Sequence, residues 1–67
     1  MKKIEVGQRV SIKCGADYET EYGTICELFT NVSNIPSAYV QWDNGKYDVI
    51  HLTKIKSARA KYGLKLA

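Results

Sequence analysis

The sequence predicts a small all-β domain of five strands, and three observations carry that prediction. Positions 9–14 alternate between apolar and polar residues with the period of two that a half-buried strand requires. The dipeptide Asn44-Gly45 stands between two runs rich in β-branched and aromatic residues, the strongest short-range signal for a hairpin. The remaining signals come in the order strand, loop, strand, loop, hairpin, helical turn, short strand, with no repeat or low-complexity segment between them.

In the first strand Val10, Ile12 and Cys14 point one way and Arg9, Ser11 and Lys13 the other. Residues 15–21 form a polar loop that holds Asp17, Tyr18 and Glu19. Residues 23–29 make the second strand, where Ile25 and Leu28 are both natural core residues. Strict alternation would separate them, so a bulge is expected between the two. An Asn- and Ser-rich loop over 30–36 is closed by the only proline, Pro36.

Residues 37–51 are the hairpin. A type I′ turn needs positive φ at both central residues, and Asn44-Gly45 supplies it at the least steric cost. The register then follows: Trp42 faces Tyr47, Val40 faces Val49, and Gln41 faces Asp48. Ala38, Val40, Trp42, Tyr47 and Val49 share an apolar face with His51 at its end. Gln41, Asp43, Lys46 and Asp48 share the other, with Tyr39 and Ile50 at its far end. Leu52, Thr53 and Lys54 suit one helical turn, and Ile55-Lys56 a short fifth strand. In residues 57–67, Ala58, Tyr62 and Leu66 recur at roughly helical spacing from Ile55, but Gly63 interrupts; a short helix, a strand and a disordered arm all fit. The expected organisation is a barrel over 1–56 and a short basic C-terminal tail or helix over 57–67.

A chain of 67 residues is one domain. It buries only about 60% of the surface its unfolded form exposes, which leaves little room for an internal substrate cavity. No apolar run approaches the length of a membrane span, and the residues after Met1-Lys2-Lys3 lack the apolar stretch of a signal peptide, so a cytoplasmic location is expected. Cys14 and Cys26 fall in expected strands, where a free cysteine is a small buried hydrophobe. The net charge of +3 is unevenly placed. Residues 1–51 hold Lys2, Lys3, Arg9, Lys13 and Lys46 against Glu5, Asp17, Glu19, Glu21, Glu27, Asp43 and Asp48, a net of −2. Residues 52–67 hold Lys54, Lys56, Arg59, Lys61 and Lys65 and no acid, a net of +5.

Val6-Gly-Gln-Arg-Val, then Tyr22-Gly-Thr-Ile, then Tyr39-Val-Gln-Trp-Asp-Asn-Gly and the ending Leu52-Thr-Lys-Ile are similar in order to a Tudor domain, closest in pattern to those of the Polycomb-like chromatin proteins. The similarity covers residues 6–56 and implies a five-stranded SH3/Tudor-like barrel. It also implies cage-like positions for Tyr22, Trp42 and Tyr47, where methylated lysine would be held by cation–π attraction, with Tyr18 as an added wall. This chain has Lys13-Cys14 where the Polycomb-like pattern has a Trp at the end of strand one, so the cage lacks a wall.

Two constellations follow. Tyr18, Tyr22, Trp42 and Tyr47 are the candidate anchors for a protein partner; the alternative role for Trp42 and Tyr47 is a plug for one barrel end. Lys54, Lys56, Arg59, Lys61 and Lys65 could instead follow a nucleic-acid backbone with Tyr62 stacking on a base, or offset the acidic body within the molecule or across a dimer. His51 with Cys14 or Cys26 has no third orienting residue, two Cys and one His fall short of a zinc set, and Asp43 and Asp48 flank a turn beside Lys46. No catalytic residue, metal or cofactor is therefore expected. The sequence-level reading is a non-enzymatic module that binds a protein, with RNA or DNA as the alternative partner and self-association as the third. A free-standing barrel with its own initiating methionine fits a compact bacterial, plasmid or phage accessory protein.

Overall fold

The computed structural model describes residues 3–67. The strands are β1 Arg9–Lys13, β2 Glu21–Thr30, β3 Pro36–Trp42, β4 Tyr47–His51 and β5 Gly63–Leu66, with a 3₁₀ turn Leu52–Lys54 between β4 and β5. They form one antiparallel sheet in the order β4-β3-β2-β1-β5 that curls into a half-barrel, the general shape of the SH3/Tudor-like barrels. Strand β2 is long enough to serve both halves. Its first residues pair with β1, from Ile12 against Glu21 to Arg9 against Thr24, and it pairs with β3 from Gly23 to Thr30. The expected bulge falls between Ile25 and Glu27. It turns both Ile25 and Leu28 inward, opposite Val40 and Ala38.

The concave side holds the core. Val10, Ile25, Ala38, Val40 and Ile55 are fully buried, Trp42 and Leu66 nearly so, and Ile4, Ile12, Leu28, Ile50, Leu52 and Leu64 pack around them. Between β2 and β3 the Asn31 side chain accepts the backbone N–H groups of Ser33 and Ile35 at 2.8 and 3.0 Å, and Asn34 takes a positive φ of 61°. The Asn-rich composition of this loop thus has a direct use: one amide satisfies two turn donors.

Two expectations about the strands are corrected. The hairpin register is shifted by one residue from the one the Asn-Gly signal implies. Gln41, not Trp42, pairs with Tyr47, Val40 pairs with Asp48, and Tyr39 with Val49. The loop has three residues. The Gly45 N–H donates to the Trp42 carbonyl at 2.9 Å, the Trp42 N–H donates to the Lys46 carbonyl at 2.8 Å, and in this loop only Gly45 takes positive φ, at 92°. This is a type I turn followed by a glycine bulge. It is held by the Asn44 side chain accepting the Lys46 N–H and by the Asp43 N–H reaching the Tyr22 carbonyl. A one-residue slip turns every β4 side chain to the other face. Ile50 thereby joins the core, Asp48 reaches the Trp42 indole, and Tyr47 and Val49 turn outward. Gly45→Val should cost about 1–3 kcal/mol. A Cβ at position 45 meets nothing within 4 Å, so the loss measured by chemical denaturation would be conformational rather than steric.

The fifth strand is the second correction. Ile55 is core but belongs to no strand, and Lys56 makes only an isolated parallel bridge to Lys65. The strand that completes the sheet is β5, within the segment left open as helix, strand or arm, and it pairs with β1 from Val10–Leu66 to Lys13–Gly63. Gly63 fits a strand start here because it takes a φ of 87°. The cysteines depart from expectation as well. Both are free and exposed, Cys14 just past the end of β1 and Cys26 at the bulge, where alternation breaks.

Candidate functional site

The four aromatic residues singled out in the sequence occupy three environments. Trp42 is 9% exposed and part of the core, and its indole N–H donates to Asp48 Oδ2 at 2.6 Å. This satisfies the one polar atom that burying an indole would otherwise strand. Tyr47 lies on the opposite face of the sheet, half exposed, with its ring edge-on to Tyr39 at a centroid distance of 5.1 Å and an interplanar angle of 65°. Tyr22 lies on the outer face of β2, also half exposed, with the Arg9 guanidinium 6.0 Å from its ring centroid. Tyr18 is exposed on the first loop beside Gly15. Tyr22 and Trp42 line one shallow groove of ≈ 240 Å³ with Thr20, Glu21, Asp43 and Asn44. Tyr47 and Tyr18 do not line it.

The register correction brings together residues that the sequence alone does not connect. On the outer face of β3 and β4, Tyr39, Tyr47 and Val49 form a continuous aromatic and aliphatic surface, with Tyr39 and Val49 directly paired. Strand β4 ends the sheet. Lys46, Asp48 and Ile50 turn their backbone groups toward β3. The alternation of an antiparallel ladder then directs those of Tyr47, Val49 and His51 to the open edge. The other edge is covered by the chain itself. The Lys56 N–H donates to the Leu64 carbonyl, and the Leu66 N–H donates to the Lys56 carbonyl, both at 2.9 Å.

Arg9 is the best-anchored polar side chain of the outer face. Its guanidinium donates to both carboxylate oxygens of Asp43 at 2.8 and 2.7 Å and to Thr24 Oγ1 at 2.9 Å. The planar fork of arginine suits this two-point grip. The hydrogen bonds between them hold the Asp43 carboxyl below its ordinary value and raise the Arg9 guanidinium, so the pair stays ionised at neutral pH. Asp43 is therefore tied across the sheet to β1, and Asp48 is tied to Trp42. The two carboxylates serve separate structural partners. Among the described residues no group of three or more His, Cys, Asp or Glu is placed to hold a metal ion, and no helix is long and apolar enough to cross a membrane.

The cations of residues 52–67 are also distributed. Lys54 is on the 3₁₀ turn and Arg59 in the turn that follows. The Lys61 ammonium lies 5.5 Å from the ring centroid of Tyr62. Lys56 and Lys65 are side by side on the sheet. The ion pairs among the described residues are Lys3–Glu5 and Arg9–Asp43, so none joins this segment to an acid of the body.

The fold is a small all-β half-barrel, a shape consistent with a binding module. No family model, curated protein or solved structure matches the chain.

Proposed function

We propose that this protein is a binding module that takes a protein partner on the outer face and free edge of β4. The observation that carries the reading is the exposure of two apolar side chains, Tyr47 at 51% and Val49 at 59%, on an edge strand that no described residue covers, whereas the other edge is covered by Lys56. An unprotected edge strand is usually blunted by lysine, proline or a covering loop, because its free N–H and C=O groups recruit other chains. Here the edge combines main-chain groups unpaired among the described residues with an aromatic anchor. That is the chemistry of an extended partner segment adding a strand: main-chain hydrogen bonds give affinity and alternate side chains give specificity. Tyr39 and Tyr47 are the proposed anchors, with Val49 on the edge strand beside Tyr47 and directly paired with Tyr39. Trp42 supports this surface from the core side of β3. Tyr18 and Tyr22, on the first loop and on β2, are proposed to extend the contact rather than centre it.

Tyr47→Ala and Val49→Lys test the reading in a capture experiment from host extract treated with nuclease. A partner held by the wild-type chain should be lost from both variants while their melting temperatures stay close to wild type, because both side chains are largely solvated. Capture undiminished in both variants overturns the β4 surface. Sedimentation completes the test. A dimer in the wild type that Val49→Lys dissociates would identify the partner as a second copy of this chain.

A further inference from the structure

The outer face at the other end of the sheet carries a different surface, which shares only Tyr22 with the protein contact proposed above. The strand pairing aligns Tyr22, Ser11, Lys65 and Lys56 in one row across β2, β1, β5 and the segment that covers β5. Tyr22 pairs with Ser11, Ser11 with Lys65, and Lys65 bridges in parallel to Lys56. Directly paired residues share a face, so all four side chains rise on the convex side, opposite Val10, Leu64 and Leu66. Lys13 and Arg9 lie on the same face of β1, two residues either side of Ser11. The Lys56 stem crosses the position opposite Lys13: a Cβ on Gly63 would lie 3.0 Å from its Nζ, which donates to the Tyr62 carbonyl at 3.4 Å.

We infer that this face binds single-stranded nucleic acid, with Lys13, Lys56 and Lys65 on the phosphates and Tyr22 stacked on a base. The fold collects three ammonium groups on one sheet face at the cost of mutual repulsion, and none of them is ion-paired among the described residues. Charge that served only to offset the acidic body would sit against Asp or Glu. This charge sits against more lysine. Four adjacent positions span about 14 Å at ~4.8 Å per strand, enough to follow a short run of single-stranded backbone. Ser11, 3% exposed, is a low point between taller neighbours, so the row reads as an aromatic platform and a cationic track separated by a short gap. Arg9 is committed to Asp43, and its guanidinium lies over the Tyr22 ring at 6.0 Å from the centroid instead of offering a free charge. Glu21, the acid beside Tyr22 in sequence, pairs with Ile12 and so alternates to the other face of β2, at the groove that Tyr22 also lines. A sheet face with an exposed ring gives access to unstacked bases, which a duplex withholds.

The test is a fluorescence titration of the full-length chain with labelled oligo-dT and oligo-U, and with a duplex of equal length, over a salt series. Three phosphate contacts to a single strand predict a slope of log affinity against log salt of about −2. The triple variant Lys13→Gln, Lys56→Gln, Lys65→Gln should lose binding at least tenfold and flatten the slope. Tyr22→Ala should lose about fivefold or more with the slope retained. A control of equal charge change, Lys2→Gln with Lys3→Gln and Lys46→Gln, should stay within about twofold of wild type. Thermal melts identify variants that keep the fold. Absent binding at low salt, equal losses in the control, or tighter binding to the duplex overturns the inference. Undiminished binding in Tyr22→Ala overturns the stacking role.

Discussion

Truncation after Ser57 is expected to abolish the fold. The residues removed look separable in sequence, a basic tail behind a finished barrel, but they contain β5. Their loss strips β1 of its outer neighbour from Val10 to Lys13, removes the nearly buried Leu66 and the packed Leu64, and leaves Lys56 without the two backbone hydrogen bonds that position it after Ile55. Burying a leucine side chain is worth about 1.5–3 kcal/mol, and each lost hydrogen bond a net of about 0.5–1.5 kcal/mol. A domain of this size rarely has more than about 3–5 kcal/mol in total. The loss therefore exceeds what the remaining residues supply, and the truncated chain should show collapsed amide dispersion and no cooperative thermal transition. A sharp melt in the truncated chain would show that β5 is dispensable. Leu66→Ala provides the graded version, with a loss of about 2–5 kcal/mol. The charge of this segment is accordingly probed by point substitution in the full chain and never by deletion.

How far the sequence was legible follows from which interactions are local. The first strand, the bulge between Ile25 and Leu28 and the turn at Leu52–Lys54 are written in neighbouring residues, and all three stand in the structure. The hairpin was legible in place but not in register. A two-residue and a three-residue loop both accept Asn-Gly, and the choice rests on partners distant in sequence: Asp43 on Arg9, Asp48 on the Trp42 indole, Ile50 in the core. The candidate surfaces inherit that ambiguity. Tyr47 reads as a neighbour of Trp42 under the shorter loop and as a neighbour of Tyr39 under the longer one. The location of the last strand was hidden for a related reason. Ile55 is apolar enough for a strand, yet it enters the core from a connecting segment. Gly63, a helix breaker by composition, is the residue whose positive φ starts β5. Lys13 stands apart from the basic residues of 52–67 in sequence, because only the β1–β5 pairing places it near Lys56 and Lys65.

Gly23→Ala is expected to destabilise the domain by about 1–2 kcal/mol, and the reason differs from that at Gly45. Gly23 lies inside β2 without a positive φ, so alanine fits its backbone there. On conformational grounds alone the substitution should stabilise by about 0.4–1 kcal/mol, because it restricts the unfolded chain. Space decides against it. A Cβ at position 23 would lie 2.8 Å from Cε3 of Trp42, 2.9 Å from the Gln41 carbonyl oxygen and 3.0 Å from Cγ1 of Val40. Two of these neighbours are buried core side chains and the third is backbone of the paired strand, so none yields cheaply. Overpacking of this kind costs about 1–3 kcal/mol, which outweighs the entropic gain. At about 4–8 °C per kcal/mol for a domain of this size, the melting temperature should fall by roughly 5–15 °C. The indole is the largest of the three obstacles, and Trp42→Leu removes it. In that background the cost of Gly23→Ala should shrink without vanishing, since the Gln41 carbonyl still stands in the way. A double-mutant cycle measures the difference. Strict additivity, or a melting temperature that rises in Gly23→Ala alone, would mean that Trp42 does not pack over Gly23 and that β2 and β3 meet in another register.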